Sequence, residues 1–450
     1  MSVDRLPGVV LRDHFLDVPL DHSVPDGERL SVYGREVVAA GREREELPWL
    51  VYLQGGPGCA SPRPLGRDSW LVPALDHYRV LLLDQRGTGR STPANRQTLA
   101  LRGGPREQAA YLAHFRADAI VRDAELFRRH LLGEGTGSTG SAGTGEAAAG
   151  RWSVLGQSFG GFCALTYLSR APEGLREVFV TGGLPGLDTG AEDVYRAAYP
   201  RVARKNAAHY ARFPQDVESA LRIAAHLRER PARLPGGGVL TVEAFQALGL
   251  MLGTGAGSPA LHHLLEEAWV TGPSGPELAD SFLQAVQGHL SYASTPLYAV
   301  LHEAIYAQRS VDRGATGWAA QRLRAKFPEF DADRALAGGG PLYFTGEMIY
   351  PWLFDTDPAL RPLKETAQEL AAREEWPDLY DTVRLAANEV PVAAAVYADD
   401  MYVDLAHSLR TAERVGNLRT WVTNEWEHDG LRVSDGTVLR RLIRMNRGEL

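Results

Sequence analysis

The fold is decided by one stretch of the chain, Arg151-Trp152-Ser153-Val154-Leu155-Gly156-Gln157-Ser158-Phe159-Gly160-Gly161-Phe162. A short apolar run meets a Gly-x-Ser-x-Gly turn, and apolar residues at helical spacing follow it. Such a turn crowds the backbone around its serine, so the positions two residues away must lack a bulky side chain; glycines stand at both. We therefore predict a strand, a sharp turn and a helix, with the hydroxyl of Ser158 above the edge of a sheet. A glycine-rich turn in which the serine has no role is the alternative.

Other strand patterns lie on both sides of this turn. Continuous apolar runs at 47–53 and 78–84 predict strands that are buried on both faces, and further strands are predicted at 175–181, 390–397 and 418–423. Residues 9–18 and 29–39 predict an antiparallel pair, because the turn signal Pro25-Asp26-Gly27 separates them. Helical patterns alternate with the later strands, which predicts an α/β fold with a mostly parallel, doubly wound sheet.

A long helical region interrupts the sheet pattern. From about 190 to 385, apolar residues recur at helical spacing with glycine and proline between the segments. We predict an α/β domain formed by residues 1–186 and 388–450, with an inserted helical cap domain at 187–387. Residues 133–150 are rich in Gly, Ser, Thr and Ala and predict a flexible surface loop.

Composition and charge argue against several classes of partner. The chain has 450 residues and a formal net charge of −8, whereas nucleic-acid binding needs clustered cations. The first residues lack the features of a secretory signal, and no apolar run approaches the roughly 18 residues of a membrane span. Two cysteines, Cys59 and Cys163, fit a reducing compartment. We therefore predict a cytoplasmic protein without nucleic-acid or membrane partners, and leave the oligomeric state open.

Metal-ligand spacing is not found among the cysteines and histidines. His262-His263 lies in a helical pattern without nearby partners in the sequence, and we interpret this pair as structural. The sequence therefore predicts neither a metal site nor a cofactor.

Three polar residues in remote parts of the chain fit nucleophilic catalysis. A serine hydroxyl is a weak nucleophile until a base takes its proton, and a third group must hold that base. In α/β-hydrolases the chain order is serine, acid, histidine. Here Ser158 is followed by the pair Asp399-Asp400 and by His428, each just beyond a predicted strand. We predict Ser158, Asp400 and His428 as catalytic residues, with Asp399 as the alternative acid and a structural histidine as the alternative at 428.

A glycine-rich loop follows the strand at 47–53. The loop Gly55-Gly56-Pro57-Gly58 lies between that strand and a helical pattern, where the second donor of an oxyanion hole is expected. We predict that the backbone N–H groups of Gly56 and Phe159 form this hole. A phosphate-binding loop is the alternative, but the chain carries neither the dinucleotide fingerprint nor a Walker-type Gly-Lys-Ser/Thr.

Three motifs together resemble those of the proline iminopeptidases, namely Gly55-Gly56-Pro57-Gly58, Asp84-Gln85-Arg86-Gly87-x-Gly89-x-Ser91 and Gly156-x-Ser158-x-Gly160-Gly161. Members of that family are α/β-hydrolases of the serine peptidase class that release N-terminal proline. The likeness covers nearly the whole chain. Gln54 stands where the family usually has histidine, and the cap is longer than in compact members.

The resemblance implies an activity and two further residues. It implies a serine aminopeptidase that releases proline from small peptides through an acyl-enzyme. Such enzymes use cap glutamates to hold the free amino terminus of the substrate, and Glu303 and Glu347 match those segments; ordinary solvated carboxylates are the alternative. An esterase or amidase of the same fold and a non-catalytic ligand-binding protein are the competing functions.

Overall fold

The computed structural model describes residues 3–133, 150–311 and 314–450. The surface loop predicted at 133–150 falls, for residues 134–149, outside the described residues.

Thirteen strands form in the described residues. In chain order they are β1 (Val3–Leu6), β2 (Val9–Pro19), β3 (Arg29–Ala39), β4 (Trp49–Leu53), β5 (Arg79–Asp84), β6 (Trp152–Gln157), β7 (Leu175–Thr181), β8 (Ala232–Arg233), β9 (Val239–Leu240), β10 (Trp269–Gly272), β11 (Gly275–Leu278), β12 (Val392–Tyr397) and β13 (Leu418–Thr423).

Nine of these strands form one sheet in the order β1-β2-β3-β5-β4-β6-β7-β12-β13. The pairings from β1 to β5 are antiparallel, and those from β5 to β13 are parallel. The predicted mostly parallel sheet is confirmed, and so is the antiparallel pair at one side. The outermost strand β1 was missed, because four mostly exposed residues carry no apolar run.

The helices of the described residues are α1 (Leu71–His77), α2 (Arg96–Leu99), α3 (Pro105–Leu112), α4 (Ala117–Leu132), α5 (Phe159–Arg170), α6 (Ala191–Arg212), α7 (Asp216–Glu229), α8 (Val242–Gln246), α9 (Gly257–Glu266), α10 (Asp280–Leu290), α11 (Pro296–Leu301), α12 (Ala319–Arg324), α13 (Ala332–Leu336), α14 (Leu353–Thr356), α15 (Lys364–Ala371), α16 (Thr382–Ala386), α17 (Leu405–Arg414), α18 (Gly430–Val433) and α19 (Thr437–Asn446).

Helices cover both faces of the parallel part of the sheet. Phe127 of α4 and Leu165 of α5 belong to the apolar core on one face, and Leu75 of α1 and Leu439 of α19 to the core on the other. Successive strand residues alternate between the two cores, which explains why these strands appear in the sequence as continuous apolar runs. The two-sided burial fixes the sheet and therefore the positions at its carboxyl edge.

Helices dominate the region between β7 and β12. Eleven of the described helices, α6 to α16, lie there. Two short antiparallel pairs, β8-β9 and β10-β11, also occur there and pair only with each other. The sequence did not predict them, because strands of two to four residues leave no periodic signal. The domain boundaries at 186/187 and 387/388 remain a prediction.

The longest helices of the described residues are too short or too polar for a bilayer. No helix in these ranges combines the length and hydropathy that a membrane-crossing helix needs.

Candidate active site

The turn at Ser158 has a conformation that side chains rarely adopt. Ser158 joins β6 to α5 with φ 54° and ψ −126°. A Cβ atom on Gly156 would lie 2.3 Å from the carbonyl oxygen of Gly160, and one on Gly160 would lie 1.9 Å from that of Leu53. The glycine requirement inferred from the sequence is therefore met by close backbone approach on both sides of the serine.

His428 and Asp400 form a hydrogen-bonded pair beyond the ends of β13 and β12. Nδ1 of His428 lies 2.6 Å from Oδ2 of Asp400. The other carboxylate oxygen accepts the backbone N–H groups of Tyr402 and Val403 at 2.8 and 3.1 Å. Asp400 is buried, whereas Asp399 is exposed. This geometry favours Asp400 over its neighbour as the partner of the imidazole.

The environment of His428 sets its protonation. Burial lowers the pKa of this imidazole, but the charge of Asp400 and the hydrogen bond to it outweigh burial, so the net pKa is raised above the ordinary value. The ring of Tyr402 meets the imidazole edge-on, with centroids 4.7 Å apart and planes at 89°. His428 is thus held by a carboxylate on one nitrogen and by an aromatic ring at its side.

Ser158 and His428 lie on the wall of one cavity. This cavity has a volume of about 530 Å³, and we call it the serine cavity. No hydrogen bond joins Ser158 Oγ to His428 within the described residues. Catalytic hydrogen bonds are often long or misaligned in a free enzyme and tighten when substrate binds.

The predicted oxyanion-hole residues lie beside the serine. Gly56 lines the serine cavity, and Phe159 is the first residue of α5. Among the described residues, no acceptor takes a hydrogen bond from the backbone N–H of either residue. Gly56 has φ +132°, a conformation that requires glycine here. Both donors are thus available to a developing negative charge.

The Asp84–Ser91 motif holds the glycine-rich loop. Asp84 accepts the backbone N–H of Ser61 at 3.0 Å and that of Arg90 at 2.9 Å. The side chain of Gln85 donates to the carbonyl oxygen of Gln54 at 2.9 Å. Gln54 also accepts the hydroxyl of Tyr52 at 2.7 Å, which fixes its side chain without a histidine at this position. The motif therefore positions the loop that carries Gly56.

Arg86 within this motif is a structural residue. Its buried guanidinium donates to Asp123 at 2.7 Å and to the carbonyl oxygens of Leu20 and His114 at 2.7 and 2.9 Å. These contacts tie the loop after β5 to α4 and to the chain after β2. The sequence left this role open.

Glu347 contributes a half-buried carboxyl group to the serine cavity. It lines this cavity together with Ser158 and His428. The hydroxyl of Tyr298 donates to its Oε1. Burial raises the pKa of Glu347 to about 7, against the opposing effects of this hydrogen bond and of His428. Glu347 is therefore only partly ionised at neutral pH, in the same cavity as the predicted nucleophile.

Glu303 is buried and is not among the described residues that line the serine cavity. Its Oε1 accepts the backbone N–H of Ala320 at 3.2 Å, whereas its buried Oε2 has no partner in the described residues. Burial raises the pKa of Glu303 to about 7. Burial is the largest cause of the raised pKa of Tyr195 and of Tyr306, and the charges of Glu303 and Glu347 raise both pKa values further. The two carboxyl groups therefore lie near the same two tyrosines.

Two tyrosines of the site were missed by the sequence reasoning. Tyr298 holds Glu347, and Tyr402 packs on His428 while its hydroxyl donates to the carbonyl oxygen of Leu250. Neither belongs to a motif. The only local signal is that Tyr402 stands two residues after the predicted acid.

The histidine pair has partners that the sequence did not reveal. His262 Nδ1 lies 2.9 Å from the buried carboxylate of Asp216, which corrects the view that the pair lacks neighbours. In the described ranges, one group of three side chains could together bind a metal ion, and it consists of His262, His263 and Glu266. They belong to α9 and do not line the serine cavity. The predicted absence of a metal remains a prediction.

Comparison with known proteins defines the class first. The family model described as the alpha/beta hydrolase fold matches residues 48–136. Together with the parallel sheet and the strand–serine–helix turn, this match makes the chain an α/β-hydrolase.

Two curated relatives define the family within that class. The chain is 48% identical over 443 residues to a proline iminopeptidase of Aeromonas sobria, covering 98% of each chain. It is 36% identical over 437 residues to a proline iminopeptidase of Aspergillus aculeatus, covering 95% of this chain and 91% of the relative. The chain belongs to the proline iminopeptidase family, and the resemblance noted in its motifs is confirmed.

Proposed function

We propose that the protein is a serine aminopeptidase that releases N-terminal proline from small peptides through an acyl-enzyme. The observation that carries the proposal is that Ser158, His428 and the half-buried carboxyl group of Glu347 share one cavity. A nucleophile and its base beside a desolvated anion suit an amide substrate with a free, positively charged amino terminus. Membership in the proline iminopeptidase family supports the same substrate class.

The first half of the reaction forms a prolyl ester. Ser158 Oγ attacks the prolyl carbonyl carbon while its proton passes to Nε2 of His428. Asp400 keeps a proton on Nδ1 and stabilises the imidazolium that forms. The carbonyl oxygen becomes an oxyanion, which the N–H groups of Gly56 and Phe159 stabilise.

The second half releases both products. The C–N bond breaks as His428 Nε2 gives its proton to the leaving amine, which leaves the prolyl ester on Ser158. A water molecule then gives a proton to His428 and attacks the ester carbonyl. Collapse of this second intermediate returns the proton to Ser158 and frees proline.

The two glutamates serve to recognise the amino terminus. A secondary ammonium that leaves water needs anionic partners, and a nearby cation in turn favours the ionised form of a carboxyl group. Glu347 on the cavity wall is the direct partner in this proposal. Glu303, whose buried Oε2 has no partner in the described residues, completes the negative environment.

The test compares free and N-acetylated proline arylamides with the purified protein. Acetylation removes the ammonium and leaves these carboxyl groups unpaired, so we expect the free substrate to react at least about 100-fold faster. Equal rates on both substrates would favour an esterase or amidase and defeat the aminopeptidase proposal.

A second test replaces the predicted nucleophile, in the variant Ser158→Ala. We expect turnover to fall by at least about 10³-fold, because the oxyanion hole alone leaves only residual catalysis. An unchanged circular dichroism spectrum would show that the variant folds. Near-normal turnover in this variant would remove Ser158 from the mechanism, and failure of a fluorophosphonate to label the wild-type protein at Ser158 would favour a non-catalytic binding protein.

We also propose that the protein acts in the cytoplasm. Both cysteines, Cys59 and Cys163, are free, as a reducing compartment requires. Location by fractionation of the producing cells, with a cytoplasmic and a secreted marker enzyme, tests this point.

A further inference from the structure

A second cavity of about 530 Å³ meets the serine cavity at His428. The two cavities share Gln54, Gln157, Thr254, His428 and Arg432. Within the described residues the second cavity touches neither Ser158 nor Glu347. We call it the histidine cavity, because it contacts the predicted base but not the predicted nucleophile.

The chemistry assigns different parts of a substrate to the two cavities. The prolyl group must lie where its carbonyl meets Ser158 and its ammonium meets Glu347, which is the serine cavity. The leaving amine must lie next to Nε2 of His428, because that atom gives it a proton. The remainder of the peptide therefore extends past His428, away from Glu347, into the histidine cavity. This step depends on the proposed aminopeptidase function.

Arg432 lines both cavities, and among the described residues its exposed guanidinium makes only one long ion pair. Its side chain is 74% exposed, and its nearest carboxylate, that of Asp429, is 3.7 Å away. The other oxygen of Asp429 accepts the backbone N–H of Gly255 at 3.2 Å. The backbone of Arg432 is fixed, since its carbonyl oxygen accepts the hydroxyl of Ser69 at 2.7 Å and its N–H donates to the backbone carbonyl oxygen of Asp429 at 2.9 Å.

The other charges of the histidine cavity leave Arg432 as its effective cation. Arg63 is paired with the fully buried carboxylate of Asp84. Asp68 is exposed on the wall, where water screens its charge. A carboxylate that enters from the side of His428 therefore meets one exposed guanidinium, whose ion pair with Asp429 is long at 3.7 Å.

We propose that the histidine cavity receives the leaving part of the peptide and that Arg432 pairs with the C-terminal carboxylate of short substrates. In Pro-Xaa dipeptides this carboxylate is one residue beyond the scissile bond, so it lies beside His428 when the bond is cleaved. The protein then selects dipeptides and tripeptides with a free carboxyl terminus.

The experiment compares Pro-Leu with Pro-Leu-amide, which differ only in the terminal charge. For the wild-type protein at low ionic strength, kcat/KM is expected to favour the free acid by about fivefold, the range of an exposed ion pair. The ratio should decrease at high salt. Arg432→Ala should bring the ratio to about one, and Arg432→Lys should restore part of it.

Arg440→Ala is the matched control, because Arg440 is an exposed arginine of α19 outside both cavities. It should keep the wild-type ratio. A wild-type ratio of one or less, or an unchanged ratio in Arg432→Ala, would overturn the proposal for Arg432. If the wild-type protein fails to cleave proline arylamide, the proposed function itself is wrong, and the inference falls with it.

Discussion

Asp399 and Asp400 are adjacent and chemically identical, yet the structure gives them different environments. Asp400 is buried, and its two oxygens accept one imidazole and two backbone N–H groups. Asp399 faces solvent. A carboxylate orients a histidine only when it is itself held, so burial and backbone hydrogen bonds distinguish the two.

This pair allows a matched test. Asp400→Asn places an amide opposite Nδ1 of His428 and favours the wrong imidazole tautomer, so kcat should fall by about 10³- to 10⁴-fold. Asp399→Asn should retain activity within about twofold, because surface substitutions have small effects. Steady-state kinetics on proline arylamide measures both. Equal losses in the two variants would contradict the assignment of Asp400.

The raised pKa of Glu347 predicts a pH effect on activity. Substrate recognition needs Glu347 ionised, and the pKa of this group is about 7, so kcat/KM should rise as pH increases through about 7. Proton abstraction needs His428 neutral, and the raised pKa of this imidazole also makes kcat/KM rise with pH. Below this range the pH dependence of kcat/KM should involve more than one proton. Glu347→Gln removes one ionisation, so the acid limb should become less steep and kcat/KM should fall throughout.

A pH profile from 5 to 8 checks this prediction. Glu365→Gln, which changes an exposed glutamate of α15, is the control and should keep the wild-type profile. An unaltered slope and rate in Glu347→Gln would remove Glu347 from substrate recognition.

At the scale of elements, the turn between β6 and α5 depends on contact with a neighbouring strand. Gly160 belongs to α5, but the atom that a Cβ would meet is the carbonyl oxygen of Leu53 in β4. The turn and the loop after β4 are therefore packed backbone to backbone. This contact keeps Ser158 and Gly56 on the same side of the sheet.

Replacing this glycine should be costly. In Gly160→Ala a backbone segment must move, so the free energy of unfolding should fall by at least about 2 kcal/mol and activity should be lost. Gly288→Ala in α10 is the control, because its Cβ would meet nothing within 4 Å on an exposed helix position. That change should raise stability by about 0.5–1 kcal/mol. Urea unfolding followed by circular dichroism measures both, and tolerance of alanine at 160 would contradict the packing argument.

At the scale of the whole molecule, the buried carboxyl group of Glu303 opposes stability at neutral pH. The pKa of Glu303 is raised by burial from 4.5 to about 7 in the folded state. Between these values the folded state binds more protons than the unfolded state, so stability decreases as pH rises from 4.5 to about 7. Above pH 7 the full loss of stability remains, because Glu303 is then ionised in both states. A site that needs buried anions thus lowers the stability of the fold that holds it.

Glu303→Gln should relieve this loss. The difference in unfolding free energy between variant and wild type should increase by about 3 kcal/mol, in favour of the variant, from pH 4.5 to pH 8. Other titrating groups such as His302 cancel in this difference. Urea unfolding at several pH values measures this difference in unfolding free energy. Glu365→Gln is the control, and its difference from the wild type should not change with pH. A difference that does not change with pH would show that Glu303 is not buried as described.

Much of the fold could be predicted because its signals are local. Buried parallel strands require continuous apolar runs, and the turn at Ser158 requires glycines at fixed spacing, so both are visible in short windows of sequence. Ser158, Asp400 and His428 each follow a predicted strand, and this order predicted a common sheet edge. The short strands β1 and β8 to β11 were missed because four residues or fewer show no period.

What the sequence alone determined is therefore the sheet, the serine turn and a short set of candidate residues. Only the tertiary structure decided that Asp400 rather than Asp399 meets His428, that Glu347 but not Glu303 lines the serine cavity, and that Arg432 lines two cavities. These outcomes depend on burial and on distances between segments far apart in the chain, and such distances leave no trace in local residue patterns.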